Sequence, residues 1–392
     1  MLKINGKNKR FTRIEISLAA MSNNIRVLKS HLASKETKIM AVVKSNAYGH
    51  GIREIANHAV KSGVNALGVV LAEDAIYLRK MGIKVPVYIL GESPIGIIRD
   101  AIKYDFTLCL NSFEKAKAVS LVCGKFGKKI NVHIKVDTGM NRVGIYHRKA
   151  VEEIEKIAGL SNLNVEGIFT HFSCAGEKND DYTMMQWRRF QDVLKALEEK
   201  KIRFKIVHCA NSAAFLRHKE FHCDMVRLGI SIYGISPFGL KADEWLPPGI
   251  VKVINSLKPI LSLKSRVSFV KKVGAGESVS YGATFTTSRP SIIATIPIGY
   301  ADGYTRLYSN KAEVLINGGL APVVGNVTMD QVMADVTDIA DSSQICEGTE
   351  VTLIGNSSQG RISADYLASL IGTISYEVLC MLKDKIPRVY IY

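Results

Sequence analysis

Between residues 39 and 234, eight strand-like runs alternate with helix-like patterns, and this alternation constrains the fold more than any other feature of the chain. The runs lie at 39–44, 66–71, 85–91, 106–110, 130–137, 165–172, 204–209 and 225–233. Most are continuous Val/Ile-rich stretches bounded by turn residues, the mark of strands buried on both faces. Helical spacing appears between them, for example at 52–61, 73–81, 113–123, 148–158 and 182–200. Strands alternating with helices indicate βα units and a parallel sheet. Eight units predict an α/β chain that opens with a closed (β/α)8 barrel, whose chemistry sits at the C-terminal strand ends. Lys44, Asp137, His171, Asn211, Ser212 and Arg227 all fall at or just beyond such ends, or late in the last strand. The competing doubly wound sheet lacks Gly-x-Gly-x-x-Gly after its first strand.

Trp245-Leu246-Pro247-Pro248-Gly249 breaks the pattern. Beyond it, β-branched runs at 250–254, 260–270, 291–298, 313–316 and 350–354 are separated by Gly/Asn/Ser turns. They predict a mostly β second domain. One late helix is expected from an N-cap at Ser363 to a C′ glycine at Gly372. Gly274-Ala275-Gly276-Glu277 resembles a phosphate loop but sits between β patterns and reads as a turn.

Composition narrows the function. The 392 residues are 47% hydrophobic and 22% charged, enough for two domains. The seven cysteines form no Cys-x-x-Cys pair, so neither a disulfide framework nor a zinc ribbon is suggested and a reducing cytoplasm fits. The basic N-terminus is not followed by an apolar core of a signal peptide. No apolar stretch approaches the ~18 residues of a membrane span. Net charge is +16, but the lysines are scattered and the runs Lys7-Asn8-Lys9-Arg10 and Lys128-Lys129 lack interleaved aromatics. This reads as a solvated basic surface rather than a nucleic-acid footprint. His171 and Cys174 form too weak a pair to suggest a metal.

Lys44 closes the apolar run Ile39-Met40-Ala41-Val42-Val43 and opens Ser45-Asn46-Ala47-Tyr48-Gly49-His50-Gly51. Most lysines point to solvent. One at the mouth of a buried strand is partly desolvated, which lowers its pKa and frees its lone pair for a Schiff base. The segment around Lys44 resembles the pyridoxal-phosphate attachment segment of alanine racemases. The resemblance recurs at Asp137-Thr138-Gly139-Met140-Asn141-Arg142, His208-Cys209-Ala210-Asn211-Ser212-Ala213 and Val226-Arg227-Leu228-Gly229-Ile230. It continues at Val279-Ser280-Tyr281-Gly282, Ile298-Gly299-Tyr300-Ala301-Asp302-Gly303-Tyr304, Met329-Asp330-Gln331 and Ser375-Tyr376-Glu377, in family order over nearly the whole chain.

The resemblance implies a fold: an N-terminal strand within 1–15 joining the second domain, a barrel over 16–246 and a mostly β domain over 247–392. It implies pyridoxal 5'-phosphate as cofactor and a homodimer with shared active sites. Racemisation needs a base on each face of the substrate. By resemblance these are Lys44 and, from the partner subunit, Tyr281, whose pKa must fall from its free value of ~10. Arg227 would face the pyridine nitrogen. An arginine keeps its own proton, so the ring stays a weak electron sink and racemisation is favoured over transamination. His171 would buttress Arg227. The phosphate would meet Ser212, the Gly229 and Ile230 amides, Tyr48 and Tyr376; Ser212 reads equally well as a helix N-cap. The substrate carboxylate would meet Arg142 and Met329. Lys135 matches a position that is carbamylated in some members, where the carbamate would orient Arg142. Tyr300, Arg306, Ile374 and Tyr376 match an entryway. Asn326, Thr328 and Gly176-Glu177 depart from the commonest family wording and leave substrate preference open.

The implied activity is interconversion of L- and D-alanine, supplying D-alanine for peptidoglycan. A serine, basic or broad-spectrum racemase of the same fold is the alternative. A barrel decarboxylase would be expected to use a different partner for the ring nitrogen. A cofactor-carrier barrel would not need a β domain bearing Tyr281 and Met329.

Overall fold

Eight parallel strands hydrogen-bond in a ring. In chain order they are β1 (Lys38–Val42), β2 (Ala66–Val69), β3 (Val87–Ile89), β4 (Leu108–Leu110), β5 (Ile130–Asp137), β6 (Leu163–Phe169), β7 (Ile206–His208) and β8 (Met225–Leu228). β8 pairs with β1 through Met225 opposite Lys38, and the ladder runs on through β2 to β3. A single parallel bridge, Tyr88 to Thr107, carries it to β4, and β5, β6 and β7 follow. Two backbone bonds close the ring between β7 and β8: Arg227 N to Ala210 O at 3.0 Å and Asp224 N to Val207 O at 3.1 Å. The computed structural model describes residues 10–357 and 360–392. Contacts divide them into a barrel unit (21–47 and 52–258) and a mostly β unit (10–20, 48–51 and 259–392).

Met40, Ala66, Tyr88, Ile206 and Met225 form an apolar cluster inside the barrel. Above that layer the interior turns polar. His133, Lys135, Asp137, His208 and Arg227 are all buried there. Buried ionisable groups cost stability unless they are paired or neutral, so this interior marks function rather than packing.

Most paired strands stop short of the sequence-read runs. β1 ends at Val42 because residues 44–48 take a different turn, and the run 225–233 ends at Leu228 and continues as a 3-10 turn, Ile230–Tyr233. A larger correction concerns 250–254, read as a strand. It is the helix Pro248–Ser256, in the barrel unit. Pro248 at the first helical turn pre-sets the backbone, and the apolar positions 250, 251, 253 and 254 have helical spacing.

In the mostly β unit, Arg13–Ser17 lies between Leu261–Arg266, antiparallel, and Arg388–Ile391, parallel. These belong to a seven-stranded sheet that continues through Glu350–Asn356, Glu313–Ile316 and Gly319–Pro322. A second sheet holds Phe269–Val273, Ser291–Ile296 and Val332–Asp335. The run 260–270 therefore splits, because the chain changes sheets there: Val267 N bonds Thr349 O and Ser268 N bonds Thr295 O. The single late helix is two. Ala364–Leu370 is capped by Ser363, and after a turn containing Gly372 a second helix runs Ser375–Met381. Residues 274–277 form a turn, as read.

Candidate active site

The chain leaves β1 through an uncommon backbone. Ser45, Asn46, Ala47 and Tyr48 all have φ between 50° and 53°, a left-handed helical turn built without glycine. Such residues cost ~1–2 kcal/mol each relative to the right-handed form. Strain of this kind collects where a site demands one geometry. Lys44 opens the turn, half-buried, two residues past the end of β1. Asn46 Oδ1 accepts from Ile52 N at 2.8 Å, tying the turn to the start of the next helix. Gly49 follows at φ 80°, where a Cβ would lie 2.4 Å from Leu379 O.

Arg227 is 3% exposed and ends late in β8. Its Nη1 donates to His208 Nδ1 at 3.0 Å and His208 O at 3.1 Å. Its Nη2 donates to Thr170 O (2.8 Å), Cys209 O (2.8 Å) and His171 Nδ1 (3.0 Å). Carbonyls and imidazoles surround it, and no carboxylate pairs with it among the described residues. Burial pushes its pKa down to about 10, so it stays protonated at neutral pH. His171 is driven the other way from charge: burial, then Arg227, Lys135, Arg142 and Lys44, hold it well below its usual pKa and therefore neutral. A neutral His171 accepts from Arg227, as the guanidinium can only donate.

Lys135 is 6% exposed, with Nζ 5.4 Å over the Phe169 ring. Burial, with Arg142 and Arg227 adding to it, lowers its pKa to about 8. Arg142 is exposed, beyond a loop shaped by Asp137, whose Oδ1 accepts from Gly139 N and Asn141 N at 2.9 and 3.0 Å. Ser212 is buried, and its Oγ accepts from Gly229 N at 3.0 Å. The helix cap is Asn211, whose Oδ1 accepts from Ala214 N; Ser212 is the first helical residue, which corrects the N-cap alternative. Ile230 is buried one residue after Gly229.

The mostly β unit carries the remaining residues. The Tyr48 and Tyr376 rings lie 6.1 Å apart, and burial raises both phenols well above their usual pKa. Tyr281 sits at the tip of the hairpin Ser278–Val279/Phe285–Thr286 and is 76% exposed. Asn326 fixes the tip: its Nδ2 donates to Tyr281 O at 2.7 Å and its carbonyl accepts from Ser280 Oγ at 2.6 Å. Met329 is 54% exposed, and its carbonyl accepts from Ala301 N at 3.0 Å. That bond, with Tyr300 N to Thr328 O, ties the Met329 loop to the loop of exposed Tyr300. Arg306 and Ile374 are also exposed. Lys271, Lys272, Tyr281, Thr328 and Gln331 line one cleft of about 760 Å³.

Three groups escaped the sequence reading. His208 lay in a quoted block without a role. His133 has a signal in the spacing His133-x-Lys135-x-Asp137, which puts three polar side chains on one face of a barrel strand. The third is Asp302, wholly buried, bonded to Arg10 Nη2 at 2.6 Å and Lys385 Nζ at 3.1 Å, with Oδ2 accepting from Gly299 N. It pins the turn that presents Tyr300.

The barrel residues fit pyridoxal phosphate on the chemistry of their donors: an amine at a strand end, a donor-only guanidinium on neutral acceptors, and a hydroxyl with adjacent amides. The family model "Alanine racemase, N-terminal domain" matches residues 16–237, and "Alanine racemase, C-terminal domain" matches 260–390. Alanine racemase of Halothermothrix orenii is 41% identical over 386 residues, covering 98% of both chains. Alanine racemase 1 of Clostridium acetobutylicum is 42% identical over 378 residues, covering 96% of this chain and 94% of its own. The solved alanine racemase of Clostridium difficile 630 superposes with a TM-score of 0.89 at 36% identity, covering 98% of this chain and 97% of its own. That of Bacillus anthracis with bound L-Ala-P gives 0.89 at 35% identity, covering 98% and 96%.

Proposed function

The chain belongs to the alanine racemase family and interconverts L- and D-alanine, and from that premise we propose how its residues divide the work. When bound, pyridoxal 5'-phosphate supplies the electron sink that acidifies the substrate α-proton. Lys44 would hold it through Nζ. Ser212, the Gly229 and Ile230 amides, Tyr48 and Tyr376 would hold its phosphate, and Arg227, steadied by His171, would meet the pyridine nitrogen.

Two bases act. The partner subunit's Tyr281 takes the α-proton of L-alanine through its phenol oxygen, and Lys44 Nζ returns one to the opposite face. From D-alanine the roles reverse. Arg142 and the partner subunit's Met329 receive the carboxylate. Lys135 carries a carbamate: a buried amine with its pKa near 8 is available to carbon dioxide, and the anion formed would sit among the cations Arg142 and Arg227. We infer a homodimer from the roles given to Tyr281 and Met329, both of which stand exposed.

The observation that carries this reading is the shell of Arg227. Five neutral acceptors, and no carboxylate among the described residues, leave it protonated yet unable to protonate a ring nitrogen. A cytoplasmic setting and a role in peptidoglycan supply go with it; the seven free cysteines suit a reducing compartment. Chiral chromatography of L-alanine, L-serine and L-lysine, each incubated with cofactor-loaded protein, tests the substrate. D-alanine is expected to dominate. Dominant D-serine or D-lysine would overturn the preference.

A further inference from the structure

Behind Arg227 a chain of imidazoles crosses the barrel interior. Arg227 Nη1 donates to His208 Nδ1 at 3.0 Å, and His208 Nε2 lies 2.8 Å from His133 Nδ1. His133 Nε2 faces Glu166 Oε2 at 3.9 Å, an electrostatic contact longer than a hydrogen bond. Both imidazoles are buried, and both are held below their usual pKa, chiefly by burial. The fold makes room for them. Gly167 stands beside His133 in the strand register, and a Cβ there would lie 2.5 Å from the His133 ring. Phe169 stacks on His208 with ring centroids 4.7 Å apart and 10° between planes, and Tyr88 leans on His133 at 4.8 Å.

The direction of every proton in this chain is set by its first member. A guanidinium has no lone pair to offer, so His208 Nδ1 accepts. Neutral His208 then carries its proton on Nε2 and donates it to His133 Nδ1. Neutral His133 in turn carries its proton on Nε2, facing the Glu166 carboxylate. Facing the His133 ring, and with Lys205 Nζ at 3.2 Å, the Glu166 carboxyl is held below its usual range. The two ring dipoles align head to tail, negative ends toward Arg227 and positive ends toward Glu166.

We propose that His133 is a positioning residue: through His208 it fixes the acceptor beneath Arg227 and links that buried cation to Glu166 in place of a direct counter-ion. This rests on the reading that Arg227 meets the cofactor's ring nitrogen.

Long-range proton–nitrogen NMR of the cofactor-loaded enzyme reads the tautomers directly. The expected result is Nε2–H at both His208 and His133. A proton on Nδ1 of either ring overturns the relay without any variant being made. His133→Phe removes the acceptor, and His133→Gln restores a carbonyl that can take the His208 proton. The Phe variant keeps the tautomer that Arg227 imposes but leaves the His208 Nε2–H without an acceptor, so that proton's resonance is expected to move upfield and the ratio of transamination to racemisation to rise about tenfold, the lower end of what losing an outer-shell partner costs at metal sites. The Gln variant is expected to keep both near the parent. An unchanged ratio in His133→Phe overturns the positioning role. Arg227→Lys separates the premise: if it too leaves the ratio unchanged, the ring-nitrogen reading fails and the relay tautomers still stand on their own.

Discussion

Arg227 and Tyr281 sit at opposite extremes, 3% and 76% exposed. The barrel residue is enclosed by five acceptors with its neighbours neutral, a site finished within one chain. The β-unit residue stands on a hairpin tip, held by Asn326 through its backbone while its phenol faces outward. The difference teaches that preorganisation has two routes. In the barrel, side chains are fixed by burial and hydrogen bonds. At the Tyr281 hairpin only the backbone is fixed, and the phenol stands exposed.

Breaking the enclosed half has the largest expected effect. Lys44→Ala removes both the cofactor attachment and one base, and loss of the base alone is worth about 10²–10⁴-fold. Racemisation should fall by at least that factor, with loss of the cofactor's lysine-bound absorbance; retained absorbance would place the attachment elsewhere.

Tyr281→Phe sharpens the contrast, because it removes a base and leaves the enclosed half intact. The enantiomers are equal in energy, so kcat/KM falls alike in both directions, again by about 10²–10⁴-fold. The asymmetry appears in heavy water. D-alanine should exchange its α-hydrogen through Lys44 without inverting, while L-alanine exchanges far more slowly. Equal exchange of both enantiomers would remove Tyr281 from its role.

A smaller effect joins buried Lys135 to exposed Arg142. Lys135→Met removes any carbamate and should raise KM for alanine about tenfold, ~1.4 kcal/mol of binding, with kcat changed less. Isotope-labelled bicarbonate should mark Lys135 in the parent; an unlabelled parent sinks the carbamate reading.

The eight-unit barrel was legible because its signal is periodic: apolar runs separated by helical spacing survive any uncertainty about their ends. The strand ends were less legible, because a run such as 39–44 looks uniform while the backbone turns left-handed at Ser45. Ile250 to Ile254 misled because β-branching suggested a strand, whereas Pro248 and the spacing made a helix. Lys44, Arg227 and Tyr281 are proposed from motif blocks. The His133–His208 pairing spans 75 residues and the Asp302–Arg10 pairing 292, so neither contact shows in the linear chain. Such pairings exist only in three dimensions.

The most direct test of the shared site mixes two inactive proteins. On the proposed dimer, Lys44→Ala and Tyr281→Phe proteins unfolded together and refolded would form mixed dimers in which, if the sites are shared, one site holds both lesions and the other neither. If each site joins one barrel to the partner's Tyr281, racemase activity returns on mixing while either variant refolded alone stays inactive. If both bases come from one chain, no site in the mixture is intact, and activity stays absent although heterodimers are shown to form.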